Sequence, residues 1–299
     1  MSQSLDIASP ETEGSDSVNG PPLSTGRKIW DQVSTLVIAV AIALGIRSFV
    51  IEPFRIPSGS MLPTLLIGDH LFVNKFLYGA KIPFTDVRLP AVRAPRRGDV
   101  VVFLVARDGD KILPADGHPD LPRDDFVKRI VGLPGDRVEV RAGRVYLNDE
   151  RIESEVTGVV FADSVGRRLR VKREGLGACD HAVLESPGPA PMRDMAPLRV
   201  PPGRYFMMGD NRDHSRDSRD WGTVRFEEMK GPAFILYWSW DVKGNFLQFL
   251  NPVNWWKADK RWSRLFQPVK CGMAPELSGS EAAARPPVTP RSATLLVAN

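Results

Sequence analysis

The sequence predicts a mostly β protein: a coiled antiparallel β-sheet domain with an irregular insertion, preceded by one N-terminal transmembrane helix. Three observations support this fold class. Short β-branched or alternating runs recur along the chain between Gly, Pro and Asp residues, which is typical of strands and turns. A single long apolar run lies near the amino terminus, and few later stretches have a helical period. The 299 residues, of which 42% are hydrophobic, are enough for a sizeable core.

The amino-terminal region divides into a leader and an anchor. Residues 1–29 are rich in Ser, Gly, Pro and acidic side chains, and we expect them to be disordered. Residues 30–52 form the predicted transmembrane anchor, in which no side chain from Gln32 to Ile46 is charged. Arg47 can extend its guanidinium to the lipid headgroups. A buried helix of a soluble protein and a cleaved signal peptide remain alternatives.

Residues 53–270 form the predicted β domain, within which residues 154–197 are charged, contain Gly and Pro, and are expected to form an irregular insertion. Residues 271–299 are expected to form a flexible tail. The predicted strands lie within residues 70–76, 99–104, 137–141, 144–147, 204–208 and 233–238. Asn148 and Asp149 are predicted to form a hairpin turn.

Charge and cysteine content exclude some classes and leave others open. A formal charge of +4 from scattered Lys and Arg, without a basic run interleaved with aromatics, argues against nucleic-acid binding. The two cysteines, Cys179 and Cys271, have no metal-ligand spacing. A disulfide between them requires that both lie outside the cytosol, and two unpaired thiols are favoured over it.

The segment from Ile56 to Leu65, Ile-Pro-Ser-Gly-Ser-Met-Leu-Pro-Thr-Leu, presents serines in a constrained loop. Pro57 and Pro63 fix φ and lack an N–H, so neither a helix nor a central strand continues through the segment. Gly59 allows a close approach of the backbone or a sharp turn. We expect a stiff, exposed loop that displays Ser58 and Ser60, and an ordinary surface turn is the alternative.

Lys128 is a candidate general base. On a strand it points to the same face as Phe126 and Ile130. If that face is apolar, burial lowers the lysine pKa from about 10.4 by several units, because it disfavours the charged form. Such an amine would be neutral near pH 7 and able to take the proton of Ser60. A lysine that extends from an edge strand into solvent is the alternative.

The block from Gly209 to Gly222 contains four aspartates and three interleaved arginines. The arginines, and the absence of calcium-loop spacing, argue against a metal, so no metal site and no cofactor are predicted. A buried network of Asp, Arg and Ser side chains that supports an active site fits this composition, and a solvated turn is the alternative.

Histidine is the usual partner of a serine nucleophile, but only one of the four histidines has a suitable setting. His214 lies between Asp213 and Ser215. His70 lies in a strand pattern, whereas His118 and His181 are expected in polar loops.

Taken together, these segments resemble the bacterial type I signal peptidases. Four motifs occur in the order of that family, in addition to the anchor: Phe54–Phe76 with its Ser-Gly-Ser-Met-x-Pro-Thr core, Arg97–Phe103, Asp125–Asp136 and Gly209–Gly222. The resemblance implies a membrane-bound serine endopeptidase that removes signal peptides from secreted preproteins through a Ser–Lys dyad.

The resemblance also assigns roles to individual residues. Ser60 would be the nucleophile and Lys128 the general base. The Ser60 backbone N–H and the Ser58 hydroxyl would form the oxyanion hole. Three residues would support the site, with Ser215 contacting the lysine amine: Ser215, Asp217 and Arg219. Six residues match positions that line shallow substrate pockets: Ile56, Pro57, Met61, Leu65, Phe126 and Val127.

As partners, the resemblance implies secreted preproteins with Ala-x-Ala-like signal peptide ends and membrane lipid. It places the protein in the bacterial inner membrane as a single-pass protein, with a cytoplasmic amino terminus and the catalytic domain on the periplasmic side. The best-known members have two amino-terminal spans, whereas this sequence offers one. Aromatic residues near the site, Phe49, Phe54 and Trp255-Trp256, could reach the lipid interface.

Three other functions are compatible with parts of this pattern. A self-cleaving repressor-type protease also uses serine and lysine, but it would carry a DNA-binding helix-turn-helix instead of an anchor. A membrane-tethered β scaffold that binds peptides without catalysis would not need Ser60 and Lys128 together. A Ser–His–Asp hydrolase would use His214, but Gly-x-Ser-x-Gly is absent.

Overall fold

A computed structural model describes residues 25–82, 85, 87–188, 194–241 and 259–272. Nearly all of the predicted leader and tail, and Trp255-Trp256, lie outside the described residues. The chain divides into two compact units, Met1–Gly45 and Ile46–Asn299.

Helix α1 runs from Thr25 to Phe49 and includes the predicted anchor. It begins within the segment predicted to be a disordered leader. Residues Ile29–Phe49 are long and apolar enough to cross a membrane, and no part of this stretch is buried by the rest of the described chain. No other helix of the described residues meets that criterion.

Within the described residues, the second unit contains sixteen strands and one short α-helix, α2 (Ser218–Trp221). The first eight strands are β1 (Ile51–Arg55), β2 (Asp69–Asn74), β3 (Val100–Asp108), β4 (Lys111–Pro114), β5 (Arg123–Gly132), β6 (Arg137–Arg141), β7 (Arg144–Leu147) and β8 (Glu150–Arg151). The others are β9 (Ser154–Ala162), β10 (Arg168–Leu176), β11 (Cys179–Glu185), β12 (Met195–Arg199), β13 (Arg204–Met208), β14 (Val224–Arg225), β15 (Met229–Asp241) and β16 (Asp259–Lys260). The mostly β prediction is therefore confirmed.

Among the described strands, the largest sheet contains nine, with the main order β1-β2-β15-β3-β5-β13-β14. Strand β4 pairs with β3, and β16 pairs with β15. All of its described pairings are antiparallel. Strand β3 is central, and its run Val100–Phe103 is buried, as expected for a strand covered on both faces. Because β5 pairs with β3, with Val101 opposite Lys128, the lysine lies inside the sheet and not at its edge.

Residues 154–197 are not irregular as predicted. They include a three-stranded antiparallel sheet of order β11-β10-β9, and their last strand, β12, joins a four-stranded sheet of order β12-β6-β7-β8. The alternation in β10 places Leu169 and Val171 in a small core with Ala182 and Leu184 of β11. Charged side chains occupy the intervening positions, and they obscure the period of two in the sequence.

Cys179 and Cys271 form a disulfide, so the expectation of two unpaired thiols is wrong. Their Cα atoms are 5.1 Å apart although 92 positions separate them in the chain. Gly98 packs against this bridge: a Cβ on Gly98 would lie 2.5 Å from Cys179 Sγ, and its φ of +90° also favours glycine. The disulfide therefore ties the start of β11 to the chain after β16, and the loop before β3 packs against it.

Candidate active site

The predicted nucleophile lies on a tight turn. Residues Gly59–Met61 form one turn of 3-10 helix, and Ser60 is largely buried. Two hydrogen bonds from Asn211 hold this turn: its backbone N–H donates to Ser60 O (3.1 Å), and its Nδ2 donates to Gly59 O (3.0 Å). Pro57 and Ser58 are exposed, whereas Ser60 is turned inward. The loop predicted to be exposed is therefore exposed to solvent only at its beginning.

Lys128 reaches Ser60 from β5. The Nζ of Lys128 donates a hydrogen bond of 2.6 Å to Ser60 Oγ, across 68 positions of sequence. Lys128 is only 3% exposed, which rules out a side chain extended into solvent. Phe126, on the same face of the strand, places its ring centroid 5.4 Å from Nζ. The alternation of side chains along β5 thus places the Lys128 amine next to the Ser60 hydroxyl, as the sequence predicts.

Burial lowers the pKa of Lys128 to about 8. Desolvation is the main cause, and the nearby Arg219 guanidinium acts in the same direction. The carboxylates of Asp217 and Asp210 oppose it by attracting the ammonium. About a tenth of the amine is then neutral at pH 7, less than the sequence argument expected, and most of it is neutral above pH 9.

Asp217 and Arg219 lie behind the lysine. Asp217 caps helix α2 and accepts hydrogen bonds from Arg219 Nε (2.7 Å) and Nη2 (2.8 Å) and from Gly209 N (3.0 Å). Arg219 Nη2 also donates to Arg212 O. These bonds hold the pKa of Asp217 below its usual range although burial alone would raise it. The two residues therefore fix the loop between β13 and α2.

Ser215 does not make the predicted contact as a hydrogen bond. Its Oγ is buried and has no hydrogen-bond partner among the described residues. The side chain lies against Gly209, where an added Cβ would be 2.3 Å from Ser215 Oγ and 2.5 Å from Ser60 O. Gly209 is needed because the backbone of Ser60 passes this close to it.

A second set of buried charges lies next to the dyad. Asp210 and Arg212 belong to the block in which a buried network was predicted, whereas Arg129, Glu174 and His181 were not predicted to join it. Arg129 follows Lys128 and forms a two-pronged ion pair with Asp210, with Nε–Oδ1 at 2.8 Å and Nη2–Oδ2 at 2.7 Å. Thr64 Oγ1 donates to Asp210 Oδ2 (2.5 Å), so the pair also holds the loop that carries Ser60. Arg129 Nη1 donates to Gly98 O beside the disulfide.

The network continues into β10 and β11. Arg212 donates through both terminal nitrogens to the carboxylate of Glu174, at 2.5 and 2.7 Å. His181 is fully buried between Glu174 and Asp210, with its Nε2 at 3.6 and 3.8 Å from their oxygens. Burial and the Arg129 charge lower its pKa to about 4. The prediction that His181 lies in a polar loop is wrong, because it belongs to β11.

The predicted oxyanion and pocket residues differ in how open they are. Ser58 lines the cleft with Ser60 and Lys128, and its side chain makes no capping hydrogen bond. Among the predicted pocket residues, only Pro57 is exposed, and Phe126 lines the cleft. The others have almost no exposed surface and pack in the core, so they do not provide the predicted pocket surface here: Ile56, Met61, Leu65 and Val127.

His214 also lines the cleft, but its ring nitrogens lie against other groups. Nδ1 is 3.1 Å from Arg167 Nη1, and Nε2 is 3.4 Å from Ser186 Oγ. Within the described chain it makes no hydrogen bond to Ser60. The geometry therefore gives no support to a Ser–His–Asp arrangement.

A model of the family described as "Signal peptidase, peptidase S26" matches residues 29–238 of the chain. The chain belongs to this signal peptidase family. It is a serine peptidase of the signal peptidase I type. The family match includes every residue of the predicted dyad, oxyanion hole and supporting network.

Several curated signal peptidases are similar to this family member. Signal peptidase I of Pseudomonas fluorescens is 39% identical over 210 residues, which cover 67% of this chain and 69% of the relative. The enzyme of Pseudomonas aeruginosa is 37% identical with the same coverage, and that of Haemophilus influenzae is 32% identical over 80% of this chain and 75% of its own. A crystal structure of a signal peptidase I from Enterococcus faecalis V583 aligns at 23% identity over 48% of this chain and 98% of its own, with a TM-score of 0.26, which is too low to support a statement about this chain.

Proposed function

We propose that this protein is a membrane-bound endopeptidase that removes signal peptides from secreted preproteins through a dyad of Ser60 and Lys128. The observation that carries the proposal is the 2.6 Å contact between a buried lysine amine and a serine hydroxyl. A neutral amine at that distance can accept the Ser60 proton in place of the usual histidine.

In the proposed reaction, Ser60 Oγ attacks the carbonyl carbon of the scissile peptide while its proton moves to Lys128 Nζ. The resulting oxyanion accepts hydrogen bonds from the Ser60 N–H and the Ser58 hydroxyl, and one such donor contributes about 2.7–4 kcal/mol in acyl transfer. The tetrahedral intermediate collapses as the C–N bond breaks, and the leaving amine takes the proton from Lys128. Water then hydrolyses the Ser60 ester with Lys128 again as base.

The proposed substrate binds as an extended strand, with main-chain hydrogen bonds for affinity and alternate side chains for specificity. The exposed Pro57 and the half-buried Phe126 would contact the small side chains of an Ala-x-Ala-like end. Because Ile56, Met61 and Leu65 fill the space beneath them, we expect shallow pockets that reject bulky side chains.

The proposed location is the bacterial inner membrane, with α1 as the single span, the amino terminus in the cytoplasm and the second unit on the periplasmic side. The apolar stretch of α1 and the membrane-bound character of the family support anchoring. The disulfide between Cys179 and Cys271 supports the periplasmic side, because disulfides persist in oxidising compartments.

The test is cleavage of a preprotein with an Ala-x-Ala end by detergent-solubilised full-length protein. We expect Ser60→Ala and Lys128→Ala each to abolish cleavage while circular dichroism and membrane attachment stay unchanged. His214→Ala is the matched control, since it changes a side chain of the same cleft outside the dyad, and it should remain active. Activity retained in folded Lys128→Ala would refute the dyad, and an inactive wild type would favour a non-catalytic scaffold.

A further inference from the structure

The cleft above the dyad has a positively charged wall. It encloses about 330 Å³. Besides Lys128, three arginines and His214 line it, and within the described chain no carboxylate side chain does. The arginines come from three separate segments: Arg107 from the end of β3, Arg167 from the β9–β10 turn and Arg216 from the loop before α2.

Two of these arginines form ion pairs with aspartates. Arg107 pairs with Asp124, its near neighbour across the β3–β5 ladder. Arg167 pairs through Nε with Asp163, which is almost fully buried. Asp163 also accepts the backbone N–H groups of Val165 and Arg167 and so fixes the β9–β10 turn. Each guanidinium is therefore paired with a carboxylate that does not itself line the cleft.

Arg216 forms no ion pair with a described residue. It is exposed, and its Nη1 donates to the backbone carbonyl of Asp110 at 2.6 Å. Among the described residues, no carboxylate lies within 4.0 Å of it. A fixed guanidinium at the edge of a cleft attracts carboxylates and repels amines, and the effect is larger where several cations face the same space.

The charged wall shares its cleft with Phe126, one of the apolar residues proposed to contact the side chains before the scissile bond. An Ala-x-Ala-like end needs small neutral side chains before the scissile bond, and the pocket residues proposed for it are apolar. No comparable steric demand applies to the residues after that bond, so charge can be selected there. A partner that fits the wall is therefore an acidic side chain at the start of the released mature chain.

We propose that Arg107, Arg167 and Arg216 form a specificity wall that favours preproteins with Asp or Glu in the first three positions after the cleavage site. This inference rests on the proposed function. It gives the segment 154–197 a role, because its β9–β10 turn supplies Arg167. It also predicts that the preference weakens in salt, since the Debye length falls to about 3 Å at 1 M.

The experiment compares kcat/KM for two sets of peptides that share one Ala-x-Ala end. The first set carries Ala, Asp or Lys at one of the first three positions after the cleavage site. The second set carries the same three residues at the x position. We expect wild type to prefer Asp to Lys by about three- to tenfold at low salt, after the cleavage site only. Arg216→Gln should lower this ratio, and Arg216→Lys should largely restore it. Adding Arg107→Gln and Arg167→Gln should bring the ratio close to one.

Arg173→Gln is the matched control, because Arg173 is an exposed arginine of β10 that does not line the cleft. It should keep the wild-type ratio, and circular dichroism should report that each variant is folded. Three results would overturn the specificity wall and leave the proposed function standing. They are efficient cleavage with no charge preference, a preference unchanged in folded Arg216→Gln, and a preference confined to the x position. Failure of wild type to cleave any peptide would overturn the proposed function and the wall with it.

Discussion

Arg129, which follows Lys128 in β5, forms a fully buried, two-pronged ion pair with Asp210. The guanidinium and the carboxylate have 1% and 0% exposed side-chain surface. Thr64 and Gly98 bind the same pair, so it joins the serine loop, β5 and the loop after β13. This arrangement connects the loop that carries Ser60 to the strand that carries Lys128.

We expect Asp210→Ala to lower the free energy of unfolding by about 3–5 kcal/mol, because it leaves the Arg129 charge buried without a partner. Activity should fall as well, since Thr64 loses its acceptor. Urea unfolding and kcat/KM measure the two effects. Glu227→Ala is the control: it breaks the exposed pair with Arg225, and it should cost no more than about 1 kcal/mol. Equal effects of the two substitutions would contradict the stabilising role of the buried pair.

The pH–rate profile should follow the deprotonation of Lys128. In the proposed mechanism only the neutral amine accepts the serine proton. We therefore expect kcat/KM to rise about tenfold per pH unit below the pKa, which burial lowers to about 8, and to level off above it. Lys128→Arg should be inactive across the range, because a guanidinium stays protonated. A profile that is flat between pH 6 and 9, with chemistry shown to be rate-limiting, would mean that another group is the base.

Gly209→Ala should reduce kcat/KM by about a hundredfold, because the added Cβ would collide with the Ser60 carbonyl oxygen and displace the nucleophile. Gly117→Ala is the matched control, since a Cβ there meets no atom within 4 Å. Burst kinetics with an activated ester would report the attack by Ser60 directly. A fully active, folded Gly209→Ala protein would show that the turn tolerates displacement.

Reduction of the Cys179–Cys271 disulfide should lower the free energy of unfolding by about 2–5 kcal/mol. The bridge closes a long loop, so reduction raises the conformational entropy of the unfolded chain. It also packs against Gly98, so reduction weakens contacts in the folded chain. Urea unfolding with and without dithiothreitol measures it. The double variant Cys179→Ala and Cys271→Ala should match the reduced wild type and not respond to reductant. Identical curves for oxidised and fully reduced wild type would contradict this prediction.

His181 should make the protein sensitive to acid. Glu174, Asp210, Arg129 and Arg212 surround it, and its pKa is about 4 in the folded chain compared with 6.5 ordinarily. The unfolded state therefore binds the proton first, and stability falls by about 1.4 kcal/mol per pH unit as the pH drops from 6.5 to 4. Urea unfolding at several pH values should show this slope, and it should disappear in His181→Gln. A slope that persists in the variant would assign it to other groups.

The sequence predicted most of the features that depend on local pattern. Alternation along β5 placed Lys128 on the face of Phe126, and the prolines around Ser60 indicated a constrained loop. It could not predict contacts that depend on where distant segments meet. The pairing of Cys179 with Cys271, the burial of His181 between two carboxylates, and the core positions of Met61 and Leu65 all arise from the packing of β10, β11 and β2.

Ser215 shows the limit of assigning roles by family resemblance alone. The motif places it in the correct loop, yet its hydroxyl has no hydrogen-bond partner among the described residues. Arg129 and Asp210 were visible in the sequence as members of two charged motifs. Buried charges need partners, which would suggest pairing Arg129 with Asp210. The sequence does not show that these two side chains are buried, so the pairing could not be predicted from it.

The distance in sequence between Ser60 and Lys128 has a consequence for the nascent chain. A lysine in water keeps its proton, so in the proposed mechanism an incompletely folded polypeptide has no base and is inert as a protease. The amine becomes competent only when β3 and β5 have enclosed it and Asp210, from far downstream, has locked the serine loop in place. In the proposed mechanism, the desolvation that makes the hydroxyl reactive therefore also delays hydrolytic activity until the strands around Lys128 and the loop that carries Asp210 have assembled.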